Sequence, residues 1–103
     1  MERRKHPRFK VDLPVRFSKE HWSAQGRVID ISLGGCRVNS KAAVFTGDCL
    51  SMEISLPDSQ PELTVELAVV RWSIGQQFGV EFVRMWPDEQ SRLDQFAQRL
   101  AAD

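Results

Sequence analysis

Nothing in this 103-residue sequence approaches the run of about 20 apolar residues that a membrane-crossing helix requires. The basic N-terminus is followed by Val11–Phe17, which alternates apolar and polar residues instead of forming the block of a signal peptide. Both absences point to a cytoplasmic chain with no membrane partner. Cysteine is scarce. Cys36 and Cys49 stand far apart without metal-ligand spacing and read as small, partly buried hydrophobes. Net charge is also missing, since 14 Lys and Arg balance 14 Asp and Glu, so the chain as a whole is not an electrostatic nucleic-acid binder. His6 and His21 lack neighbouring metal ligands and read as surface or loop residues. There is no nucleophile elbow, phosphate-binding loop or dinucleotide fingerprint. Strand carboxylates such as Glu53, Glu62, Glu66 and Glu81 form no acid–base pair by spacing. The expectation is a protein that catalyses nothing and needs no cofactor or metal.

What is present is alternation. Leu50, Met52, Ile54 and Leu56 repeat every second residue; after the break at Pro57–Pro61, Leu63, Val65, Leu67 and Val69 do the same. Phe78, Val80 and Phe82 form a third such face after a turn around Ser73–Gly75. Shorter candidates are Leu13–Phe17, Gln25–Ile31 and Cys36–Asn39. The period then changes: Leu93, Phe96, Ala97 and Leu100 are spaced for one face of a helix, and Pro87, Asp88 and Glu89 suit its start. Six short strands and one terminal helix predict a single all-β domain, an antiparallel barrel or sandwich with the helix packed on it.

Two segments call for more than a structural explanation. In the first, Arg3, Arg4, Lys5, Arg8 and Lys10 crowd the first ten residues, and Pro7 disfavours a regular helix there. This predicts a mobile arginine arm over residues 1–10. Guanidinium forks suit phosphate and the guanine O6/N7 edge, and their flat faces stack on rings. A solvated basic terminus is the plain alternative. In the second segment, Asp30-Ile31-Ser32-Leu33-Gly34-Gly35 stands where a strand gives way to a glycine turn. An ionised Asp30 only accepts hydrogen bonds, so it could take the N1 and N2 hydrogens of guanine, and Ser32 can donate or accept. Gly35 leaves room for close approach to the backbone. A polar turn closing a hairpin is the plain alternative.

Arg4-Lys5-His6-Pro7-Arg8 fits an RxxxR pattern, and Asp30, Ser32 and Gly35 fit [DN]xSxxG. This ordered pair, on a chain with six candidate strands, resembles the PilZ domain family over essentially its whole length. The resemblance implies a six-stranded antiparallel barrel (11–84) with a C-terminal helix (87–101) that binds cyclic di-GMP. Arg4 and Arg8 would hold phosphates and guanine faces, Asp30 and Ser32 a guanine edge, and Gly35 would shape the turn. Arg3 would add a phosphate or stacking contact. With no room for a second domain, the output would pass to a downstream protein effector.

Trp72, near the end of a long strand, is a candidate stacking surface for guanine. Continued alternation from Leu63 would put Arg71 on the face of Val69 and Trp72 opposite, unless a bulge intervenes; packing under the helix is its plain alternative. Trp22 and Trp86 read as packing residues. Two other functions fit a small barrel. A protein-interaction adaptor independent of nucleotide would not require Arg4, Arg8, Asp30 and Ser32 together. A single-strand nucleic-acid binder would need a basic groove with several aromatics, and basic residues outside the arm are too scattered, so no nucleic-acid polymer is expected.

Overall fold

The structure, a computed structural model, describes residues 6–57 and 61–102. Six strands, β1 (Phe9–Lys19), β2 (Trp22–Ile31), β3 (Gly35–Asn39), β4 (Cys49–Ile54), β5 (Leu63–Ile74) and β6 (Gln77–Arg84), precede one helix, α1 (Pro87–Ala102). The strands close into an antiparallel barrel in the order β1-β2-β3-β6-β5-β4. The strands and helix expected from periodicity are all present. β1 starts earlier than the sequence indicates: Phe9 and Lys10, assigned to the arm, already pair with Ile31 and Asp30.

Alternation decides which side chains enter the barrel. Leu13, Val15 and Phe17 of β1 point inward, as do Leu50, Met52 and Ile54 of β4. Phe17 meets Phe78 edge-to-face, with ring centroids 5.3 Å apart. Each such fully buried apolar side chain stabilises the fold by about 1.5–3 kcal/mol. The helix closes one end of the barrel with Leu93 and Phe96. It is tied to the start of β5 by Glu89, whose Oε1 accepts the Thr64 backbone N–H at 2.6 Å, and by Arg92, which donates to the Glu62 carbonyl at 3.2 Å. No helix among the described residues is long and apolar enough to cross a membrane.

Three expectations change. The period of β5 slips at Leu67: Leu63 and Val65 are buried, and the next inward residues are Ala68 and Val70, so Leu67 and Val69 leave the core face. An extra β5 residue against β4, between the pairs Met52–Val65 and Leu50–Ala68, causes this. Cys36 is fully buried, but Cys49, at the first position of β4, is exposed rather than partly buried. Trp86 is 62% exposed and is not a packing residue, because the chain has left the barrel wall at that point, just before α1. Trp22 keeps one packing contact, edge-on to Phe17 at 6.0 Å, while remaining partly exposed.

Candidate ligand-binding groove

The site begins with an irregularity in β2. Val28 pairs with Val38, but the next pair is Asp30 with Arg37, so Ile29 is an extra residue against β3. Simple alternation from the buried Val28 would send Asp30 inward. The bulge instead puts it on the outer face beside Arg37, whose neighbours Cys36 and Val38 fill the core. Two arginines then cover the carboxylate. Arg8 Nη1 donates to Asp30 Oδ1 at 2.7 Å, and Arg37 Nη2 lies 3.0 Å from Oδ2. Only 11% of the Asp30 side chain remains exposed, so these pairs are screened less than ordinary surface ion pairs.

The same row continues across the sheet. Arg37 pairs with Gly79 on β6, and Gly79 with Trp72 on β5. Here a second bulge intervenes, since Arg71 is an extra residue between the pairs Val70–Val80 and Trp72–Gly79. The indole lies directly over Gly79, where a Cβ would come within 2.2 Å of its Nε1. Trp72 is therefore packed on the outer wall at the groove, partly exposed, and far along β5 from the end that α1 covers. Arg71 is held across the strand by Glu81, Nε to Oε1, at 2.8 Å. Arg8, Asp30, Arg37, Arg71, Trp72 and Glu81 line one open groove of about 450 Å³.

The β2–β3 turn forms its floor. The Ser32 N–H donates to the Gly35 carbonyl at 2.8 Å, and the Ser32 hydroxyl accepts the Gly34 N–H at 3.1 Å. Ser32 is thus buried inside the turn and is not a groove-lining side chain. Gly35 does line the groove, but its need for glycine comes from the neighbouring strand β6. A Cβ there would stand 2.2 Å from the Val80 carbonyl oxygen of β6. His6 packs over Gly34. Burial pushes the Cys36 thiol under this floor upward, the Asp30 charge adds to the effect, and Arg8 opposes it. Among the described residues no group of three His, Cys, Asp or Glu side chains is placed to hold a metal.

Of the residues singled out from sequence, the structure gathers Arg8, Asp30, Gly35 and Trp72 at one groove and leaves Ser32 in the turn beneath. Arg3 and Arg4 lie outside the described residues. Sequence reasoning missed Arg37, Arg71 and Glu81. Arg37 could have been found as the outward residue of a Cys-Arg-Val alternation beside the glycine turn, whereas Arg71 depends on a bulge that no pattern announces.

Three forked cations, two ion-paired carboxylates and a flat indole around a shallow groove suit a receptor for a flat, anionic ligand. The model of the PilZ domain matches residues 2–99, and the chain belongs to the PilZ domain family. No curated protein sequence matches it. Among solved structures it is similar to the Bacillus subtilis inhibitor of motility MotI/DgrA, with 24% identity, 100% of this chain and 54% of that one covered, and a TM-score of 0.78. It is also similar to Escherichia coli YcgR in complex with c-di-GMP, with 16% identity, 98% and 47% covered, and a TM-score of 0.81. MrkH of K. pneumonia, described as a c-di-GMP-dependent transcription regulatory factor, has 22% identity, 98% and 52% covered, and a TM-score of 0.80. The chain spans about half the length of these three proteins.

Proposed function

We propose that this protein is a receptor for cyclic di-GMP, which it binds in the Arg8–Asp30–Trp72 groove without chemical conversion. The observation that carries the reading is the row Asp30, Arg37, Gly79, Trp72 across three strand pairings, with Arg8 closing on Asp30. An acceptor-only carboxylate complements the N1–H and N2–H donors of a guanine edge. The indole offers a stacking face worth about 1–3 kcal/mol per base. Arg8 would leave Asp30 for a phosphate or guanine acceptor and exchange one charge-assisted bond for another, which limits the cost of opening the pair. Arg3 and Arg4 would supply further phosphate contacts, and Ser32 would act through the shape of its turn. The arginines before β1 would close on the ligand, and the changed surface would be read by a downstream protein in the cytoplasm. Support comes from the family, from relatives solved with c-di-GMP, and from the charge and shape of the groove.

A second reading is a PilZ-fold adaptor that does not depend on nucleotide. It has one observation in its favour: both Asp30 oxygens are already paired, so the site is electrostatically satisfied without a ligand. Titration calorimetry separates the two. The receptor reading expects wild type to bind cyclic di-GMP, and both Arg8→Ala and Asp30→Ala to bind at least about tenfold more weakly, the loss expected for a charged hydrogen bond. Unchanged binding in both variants would rule out this groove. No binding by wild type, together with a stoichiometric protein partner in a pull-down, would favour the adaptor.

A further inference from the structure

The two arginines on Asp30 are not equivalent. Arg8 stands just before β1, outside the strand ladder, with its side chain 35% exposed. Arg37 sits in the middle of β3, between β2 and β6, with the fully buried Cys36 and Val38 on either side fixing its backbone. Its cross-strand neighbour on the β6 side is Gly79, which has no side chain to compete for the guanidinium. Its Nε is buried and has no hydrogen-bond partner among the described residues, so the guanidinium is turned to serve Asp30 at the expense of one of its own donors.

We propose that Arg37 is a positioning residue that holds Asp30 Oδ2 while Arg8 exchanges Asp30 for the ligand, and so sets the plane in which the carboxylate reads guanine. The proposal rests on the receptor reading above and deepens it. With Oδ2 anchored at 3.0 Å, the departure of Arg8 frees Oδ1 without leaving an uncompensated charge in a nearly buried position. The carboxylate then keeps the orientation in which both guanine donors, N1–H and the 2-amino group, can be accepted. Without Arg37 it can rotate, and the two donors are no longer read together. Selectivity for the 2-amino group therefore depends on Arg37, although Arg37 does not touch that group.

The test compares cyclic di-GMP with cyclic di-IMP, its hypoxanthine counterpart lacking the 2-amino group. Calorimetric titrations use wild type, Arg37→Ala and Arg37→Gln, with amide spectra to confirm an intact barrel. Wild type is expected to prefer cyclic di-GMP by about tenfold or more, the worth of a hydrogen bond to a charged group. Arg37→Ala should weaken cyclic di-GMP far more than cyclic di-IMP and bring the ratio towards one. Arg37→Gln, which keeps most of the packing and one amide donor, should fall between. A wild-type ratio in both variants overturns the proposal. Equal loss of both ligands also overturns it, because it assigns Arg37 to the phosphates. If wild type binds neither dinucleotide, the receptor reading itself fails, an outcome distinct from either.

Discussion

Trp72 packs against Gly79, and the three atoms nearest to a Cβ built at position 79 all belong to its indole, at 2.2, 2.6 and 3.0 Å. The glycine thus acts as a seat for the tryptophan. Gly79→Ala is expected to lift the indole out of place, at a smaller cost in stability than a clash with backbone would carry, since a side chain rather than a strand must move. Binding of cyclic di-GMP should then weaken by an appreciable part of the about 1–3 kcal/mol that base stacking supplies. Calorimetry together with a thermal melt checks this, and full affinity in Gly79→Ala would contradict the stacking role.

Gly35 gives the opposite prediction from the same kind of close approach. Its missing Cβ would stand 2.2 Å from the Val80 carbonyl oxygen, which is backbone in the neighbouring strand and cannot swing aside. Gly35→Ala should cost about 1–3 kcal/mol of stability, as overpacking does. For a domain of this size each kcal/mol lowers the melting midpoint by roughly 4–8 °C. A melting temperature equal to wild type would contradict the packing account of this glycine.

The two thiols should separate cleanly. Cys36 is fully buried and its thiol is pushed up by burial, so little reactive thiolate forms; Cys49 is exposed. A disulfide-exchange reagent at neutral pH should modify one cysteine per folded chain and the second only in denaturant, with mass spectrometry of peptides placing the first at Cys49. Rapid modification of Cys36 in the folded chain would be inconsistent with this core.

Acid should reveal the clasp between β1 and the loop before β4. Asp48 is held below the ordinary carboxylate range, first by the hydrogen bond from Lys19 Nζ at 2.8 Å and then by the Phe45 backbone N–H at 2.9 Å. A lowered folded pKa means the contribution is complete above the unfolded value of about 3.9 and disappears as pH falls through the folded one. Denaturation midpoints of wild type and Asp48→Asn should therefore differ at pH 7 and converge below about pH 4. A constant gap down to pH 2 would show that the carboxylate charge is not what matters.

Much of this fold was legible from period alone. β4, β6 and α1 follow their apolar spacing, and the closing helix begins at the proline that suits it. The site was legible only in part, because bulges decide its faces. Asp30 stands outside the barrel owing to the extra Ile29, and Trp72 meets Gly79 owing to the extra Arg71. Two-residue alternation cannot foresee where a strand gains a residue, so it also placed Leu67 and Val69 on the core face. Arg37, separated from Asp30 by a turn, became part of the site only through strand pairing. The motif residue Ser32 sits within the turn, where its hydroxyl accepts the Gly34 N–H.

The central claim is that the messenger sits between Trp72 and Asp30, and an amide-proton titration tests it most directly. With cyclic di-GMP added to saturation, the Trp72 indole N–H and the amides of Arg8 and of Asp30 through Arg37 should shift together along one saturable curve. An indole resonance and an Asp30 amide that stay where they were, at ligand concentrations that saturate related receptors, would contradict it.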